Sequence, residues 1–288
     1  MAVFLGSVGW GLTWLPLKYI TESGLHSTHL ILLAFGAGML VLLPALIRQY
    51  RNWKPYGGLM LAIALAGGIS NGAFQTAIAH GDIARVMILF YMLPVWSVLG
   101  GRLFLSEVID KIRLLAVTLC LIGGALILDL FSTSWGTMTW IDGLALLSGI
   151  GLAATNILFR YSGRVMLLSK VAFIFIGCFL LMSISVLLLP VSDPLPGGSV
   201  ILMAVLYGGI GLTLITVGTQ WGVTYIDAGR ASVIIVTELF VAVFSSALIL
   251  SSSLSLPEMA GGFMVVTAAL LEGFRKPTEA IALAPQKT

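Results

Sequence analysis

Three stretches of this chain, residues 30–47, 59–79 and 171–189, contain no charged side chain. Each is about as long as a helix must be to cross a hydrocarbon core of roughly 30 Å. The rest of the chain is built in the same way. Only 9% of its 288 residues are charged and 59% are hydrophobic, whereas a soluble domain carries roughly 25% charged residues to keep its surface in water. Too few charges remain to clothe a globule of this size, so lipid is the solvent for most of it. A membrane β-barrel would alternate polarity in segments of roughly ten residues, and no such alternation occurs. The chain reads as an all-α membrane protein.

The net charge of +3 does not imply a nucleic-acid partner. That would need clustered Lys and Arg interleaved with aromatics, and here the basic residues stand scattered at the ends of apolar runs. Cys120 and Cys178 lie inside such runs and read as small core residues, with no disulfide framework or metal site implied. No basic region precedes the first apolar stretch, which reads as a first spanning helix and not as a cleaved leader.

Charges, Pro and Gly divide the chain into ten spans, near 2–20, 29–47, 57–79, 83–105, 112–130, 141–160, 169–190, 199–224, 228–250 and 257–274. The first is short and carries Pro16; the eighth is long and rich in Gly. A cytoplasmic N-terminus puts Arg48, Arg51, Lys54, Arg102, Lys111, Arg113, Arg160, Arg164, Lys170, Arg230, Arg275, Lys276 and Lys287 on the inner side. Only Lys18 and Arg85 are left outside. By the positive-inside rule this orientation is the expected one, in a cell (inner) membrane with both termini cytoplasmic.

A shift of 145 positions aligns spans three and four with spans eight and nine. Gln75, Asp82 and Arg85 then coincide with Gln220, Asp227 and Arg230 without a gap, and small residues stand opposite small residues. A shift of 142 pairs Lys18-Tyr19 with Arg160-Tyr161. Polar residues are scarce here, so matched polar identities carry weight. Two five-span repeats are expected, residues 1–134 and 135–275, followed by an unstructured cytoplasmic tail, 276–288. Five is odd, so the second repeat enters the membrane inverted relative to the first. Inverted repeats of this kind are typical of secondary transporters.

Within the first repeat, the run Phe90-Tyr91-Met92-Leu93-Pro94-Val95-Trp96, followed by Phe104-Leu105-Ser106-Glu107, resembles the hallmark of the drug/metabolite transporter superfamily, in its EamA-type ten-helix form. Gly9-Trp10-Gly11 and Gly123-Gly124 resemble it too. The likeness spans about residues 1–275. It implies a basket-like bundle with a central cavity lined by spans one, three, four, six, eight and nine. It also implies export of amino acids or related metabolites, as in bacterial exporters of aromatic amino acids. The second repeat departs from the pattern: Leu239 stands where Pro94 would, and Ser252 where Glu107 would.

Glu238 is the sharpest candidate for solute binding. It follows Asp227 by 11 residues, roughly 16 Å along a helix, which is near mid-membrane. An acid there costs about 2.5–3.5 kcal/mol on insertion scales and so faces a partner or a wet cavity. Binding of a substrate amine, or proton coupling, is its functional reading; a hydrogen-bonded helix pin is the structural one. Gln75 with Asn71, and Gln220 with Thr216, stand one turn apart on matched helices and form polar faces. Trp10 and Thr13 on span one, Thr155 and Asn156 on span six, and the aromatics Tyr91 and Trp221 complete the candidate lining. Helix glue and lipid contact are the competing roles for these.

Pro94 removes a backbone donor in mid-span and reads as a kink or hinge. Asp82 with Arg85, and Asp227 with Arg230, read either as helix caps or, together with Lys18 outside and Arg160 inside, as ion-pair gates. His26-x-x-His29 is too sparse for a metal site, and no cofactor is called for. No histidine lies near Ser148-Gly149 to activate a nucleophile, and no Gly-Lys-Ser phosphate loop is present, so an enzyme is not expected. A passive channel is the alternative to a transporter. The expected partners are a small-molecule solute and membrane lipid, with no statement about oligomeric state.

Overall fold

The computed structural model describes residues 1–130, 137–188, 196–251 and 254–275, and among these every regular element is a helix. In chain order they are α1 (Ala2–Leu12), α2 (Trp14–Glu22), α3 (Ser27–Arg48), α4 (Tyr50–Trp53), α5 (Gly57–His80), α6 (Ile83–Phe90), α7 (Leu93–Leu105), α8 (Lys111–Ile127), α9 (Trp140–Tyr161) and α10 (Leu167–Leu188), then α11 (Gly198–Leu206), α12 (Thr213–Tyr225), α13 (Ala228–Ile235), α14 (Thr237–Leu250) and α15 (Leu256–Phe274). A 3-10 turn, Lys54–Tyr56, joins α4 to α5, and a π-helical turn, Tyr207–Leu212, joins α11 to α12.

Among the described residues seven runs are long and apolar enough to cross a membrane: Ser27–Arg48, Tyr50–Ile78, Ile83–Leu105, Trp140–Tyr161, Leu167–Leu188, Gly198–Tyr225 and Ala228–Leu250. The chain is a multi-pass membrane protein. Three expected spans are not among the seven. The first is broken at Thr13 into α1 and α2, and the other two correspond to α8 and α15, of 17 and 19 residues.

Close helix packing rests on glycines. Gly177 lies against the backbone of Ala64, joining α10 to α5, and Gly208 lies against the backbone of Ala34, joining the π-turn to α3. Lipid offers no hydrophobic drive between helices, and such backbone approach is what brings them together instead. Gly123 on α8 faces the carbonyl of Gly261 on α15, while Arg113 on α8 bonds Glu272 on α15 at 3.1 Å. The early residues of one helix therefore meet the late residues of the other, and α8 and α15 run antiparallel.

The 145-residue shift also holds in the local structure. Asp82 and Asp227 are the N-cap residues of α6 and α13. Ser106 and Ser251 end α7 and α14 in the left-handed conformation, at φ 56° and 53°. Asp110 and Ser255 are the N-cap residues of α8 and α15. Ser252 and the tail 276–288 lie outside the described residues.

Candidate transport site

Four helical runs are interrupted part-way: at Thr13 between α1 and α2, at Tyr91–Met92 between α6 and α7, at the π-turn before α12, and at Val236 between α13 and α14. Interruptions free backbone groups, and within a bilayer these persist only where protein or a polar cavity satisfies them. Pro94 is not itself the break. It is the second residue of α7, in the first helical turn, where a missing N–H costs nothing. The matched break at Val236 occurs with no proline, so the interruption belongs to both copies and the proline to one.

Two of these breaks meet at Glu238. The carboxylate stands in the first turn of α14 and accepts a hydrogen bond of 2.9 Å from the hydroxyl of Tyr91, which occupies the α6–α7 break and is 6% exposed. No cation pairs with Glu238 among the described residues. Gly11 presses against the Glu238 carbonyl, which brings α1 and the Thr13 break to the same place. A half-buried carboxylate facing a neutral phenol is able to receive a cationic group or a proton, because a buried charge needs a counter-charge.

Other lining candidates scatter. Trp10 packs on the main core cluster, and Thr13 donates to the Trp10 carbonyl at 2.6 Å. Asn71 donates to the Gly67 carbonyl of its own helix at 2.9 Å; Gln75 is half-buried on α5. Thr155 bonds the Gly151 carbonyl at 2.8 Å and Thr216 is buried on α12. Asn156 and Gln220 meet each other across α9 and α12, with Gln220 Nε2 3.5 Å from Asn156 Oδ1. Trp221 corrects the sequence reading. It is 53% exposed, stacked edge-on with Tyr225 on the side of α12 that also carries exposed Leu214, away from buried Thr216 and Gln220. A face of Leu, Trp and Tyr suits lipid and its interface.

The expected gate pairs are replaced by other partners. Asp82 caps α6 through the Arg85 amide at 2.8 Å, while the Arg85 guanidinium forms a two-pronged bond with Asp142 of α9, both contacts at 2.6 Å. Asp142 also closes the capping box of Thr139. Among the described residues Lys18 pairs with Glu22, 3.8 Å away on its own helix and exposed, and not with a residue of the second half.

At the opposite end Asp227 does not pair with Arg230. It pairs with Arg113, Arg160 and Arg275 at 2.9, 3.1 and 2.6 Å. Arg113, fully buried, also holds Glu107 and Glu272, each at 3.1 Å. Arg160 reaches Glu107 at 3.5 Å, Arg275 reaches Asp110 at 2.7 Å and Glu272 at 3.1 Å, and Arg230 reaches Glu272 at 3.7 Å and the Arg275 carbonyl. Glu107 accepts further from the amides of Ala228 at 2.7 Å and Gly229 at 3.3 Å. It is thus an anion seated on the α13 N-terminus, where the helix dipole favours one. Burial pushes the Asp110 carboxyl up, but the Arg113 amide and the Arg275 guanidinium prevail and hold it below the usual carboxylate range.

Four arginines and four carboxylates, drawn from α8, α9, α13, α15 and the loops beside them, form this network. Sequence reading overlooked Arg113, Asp110, Glu272, Arg275 and Asp142 as partners. Glu272 carries the signal that flagged Glu238, an acid set in an apolar run; the pairing itself requires helices distant in sequence to meet.

Residues 1–129 match the model of the EamA-like transporter family. None of the curated proteins matches the chain. One solved crystal structure, described only as that of a protein, superposes with a TM-score of 0.75 over 93% of this chain and 95% of its own. At 17% identity this likeness concerns the fold alone. The first 129 residues, a little under half of the chain, are thus similar to the EamA-like transporter family, which is consistent with the drug/metabolite transporter superfamily.

Proposed function

We propose that the protein is a secondary transporter that exports amino acids, aromatic and apolar ones favoured, or related small metabolites by alternating access. In this reading ten helices cross the cell inner membrane in two inverted halves, residues 1–134 and 135–275, with both termini and the 276–288 tail cytoplasmic. The observation that carries it is the Tyr91–Glu238 pair at the meeting of interrupted helices. Transporter sites are commonly built from discontinuous helices near mid-membrane. The antiparallel run of α8 against α15, its counterpart at 145 residues, supports the inversion. Glu238 receives the solute's amine or a coupling proton, and the ion networks at the two ends act as the gates. The Arg113–Asp227, Arg160–Glu107 and Arg85–Asp142 pairs each join one half to the other.

The test is flux of a panel of labelled amino acids into and out of liposomes holding the purified protein, with and without a pH gradient. Saturable counterflow is expected, and Glu238→Gln is expected to lose amine recognition or the response to pH. Normal transport by Glu238→Gln at every pH, with unchanged solute preference, would remove Glu238 from the mechanism. Flux that never saturates and shows no counterflow would instead mark a passive channel.

A further inference from the structure

The buried core holds polar atoms that have no partner among the described residues. Asn156 is 0% exposed and Gln220 5%, yet Asn156 Nδ2 and Gln220 Oε1 have no hydrogen-bond partner among the described residues. Their one mutual contact, at 3.5 Å, is long. Exchanging N and O in both amides leaves the same complement, one NH2 and one C=O unmet, so the deficit does not depend on amide orientation. Buried polar groups are almost always paired, and each exception calls for an explanation such as a bound molecule.

These atoms have a definite place. Gly149 of α9 meets the Phe90 carbonyl, beside Tyr91; Asn156 lies about two turns further on, roughly 10 Å along the helix. Arg160, one turn beyond Asn156 on the same face, belongs to the ion network. The amide pair therefore stands between the central carboxylate and the charged end. Adjacent NH2 and C=O groups complement an adjacent carboxylate and ammonium, which are what an α-amino acid carries on one carbon.

We propose that Asn156 and Gln220 form a second solute station that holds the zwitterionic head of an amino acid on its way between Glu238 and the ion network. This rests on the transporter reading above and specifies which neutral groups meet the solute. Structural packing predicts that these positions never meet water, whereas a station must open during the cycle.

The test uses the full chain in liposomes with Cys120→Ala and Cys178→Ala as background, probing Asn156→Cys and Gln220→Cys with a water-soluble methanethiosulfonate. Both are expected to react faster than a lipid-facing Leu214→Cys control, and L-phenylalanine is expected to protect them. Absence of labelling above the cysteine-free background overturns the proposal. Labelling without protection shows a water-filled gap only and overturns it equally. In a parallel arm, Asn156→Leu combined with Gln220→Met keeps the shape of the pair without its polarity. This variant is expected to melt with the parent but to show a KM for L-phenylalanine about tenfold higher, the loss of roughly one net hydrogen bond. An unchanged KM overturns the proposal. Should the parent itself carry no amino acid in the flux panel, the transporter reading fails on that assay. Labelling and protection at positions 156 and 220 still decide whether a zwitterion binds here.

Discussion

Replacing Arg113 by methionine removes one of two guanidiniums that each hold three carboxylates, while keeping the length and apolar stem of its side chain. The guanidinium is fully buried and bonds three carboxylates, Glu107, Asp227 and Glu272, at 2.9–3.1 Å. Without it, four carboxylates face three guanidiniums. Each acid retains a partner: Asp227 keeps Arg160 and Arg275, Glu272 keeps Arg275 and Arg230, and Glu107 keeps Arg160 and the α13 amides. Removing one side of a buried ion pair costs about 3–5 kcal/mol. The surviving partners place this loss near the lower end, about 3 kcal/mol, or roughly 6–12 °C in melting temperature for a chain of this size. Arg113→Lys is expected to fall between, since a compact ammonium cannot serve three acids as a planar fork does. Thermal unfolding of the detergent-purified variants measures the effect, with exposed Arg102→Met as the control, expected within about 0.5 kcal/mol of the parent. Adding Glu272→Gln restores charge balance and is expected to recover part of the loss. An Arg113→Met protein that melts alongside the Arg102→Met control would refute the idea that this network holds the helix ends together.

Gly208→Ala places a methyl group against the Ala34 backbone, which has no side chain to swing aside. A loss of about 1–3 kcal/mol is expected from overpacking, again read from melting. Asp142→Ala removes both the Arg85 bond and the capping box of α9, and about 3 kcal/mol or more is expected by the same measurement. The Asp110 carboxyl is held below its usual range in the fold. Its stabilising contribution is therefore full above the ordinary carboxylate pKa of about 3.9 and is lost as pH falls through the lower folded value. Asp110→Asn is accordingly expected to flatten the acid limb of a plot of melting temperature against pH, without changing its neutral plateau in shape.

Uncharged runs such as 30–47 and 171–189 were enough to establish a membrane-spanning helical chain, because no other solvent tolerates them. The coincidence of Asp82 with Asp227 at 145 residues was equally legible, and the caps and left-handed helix ends that follow them keep the same spacing. Glu238 stood out as an acid among apolar neighbours before its partner was known. The partners themselves were another matter. Arg85 lies three residues from Asp82 in sequence, yet its guanidinium pairs with Asp142; Asp227 bypasses Arg230 for Arg113, Arg160 and Arg275. Side chains three apart share a face, but Asp82 is committed to the Arg85 amide and Asp227 leaves the α13 amides to Glu107, so only the neighbouring helices decide which cations reach their oxygens. The same holds for Trp221, whose aromatic ring suits a solute cavity or lipid equally well by composition. Hydropathy sets what a residue tolerates, whereas the rotation of α12 against α1 and α9 determines that Gln220 turns inward and Trp221 outward.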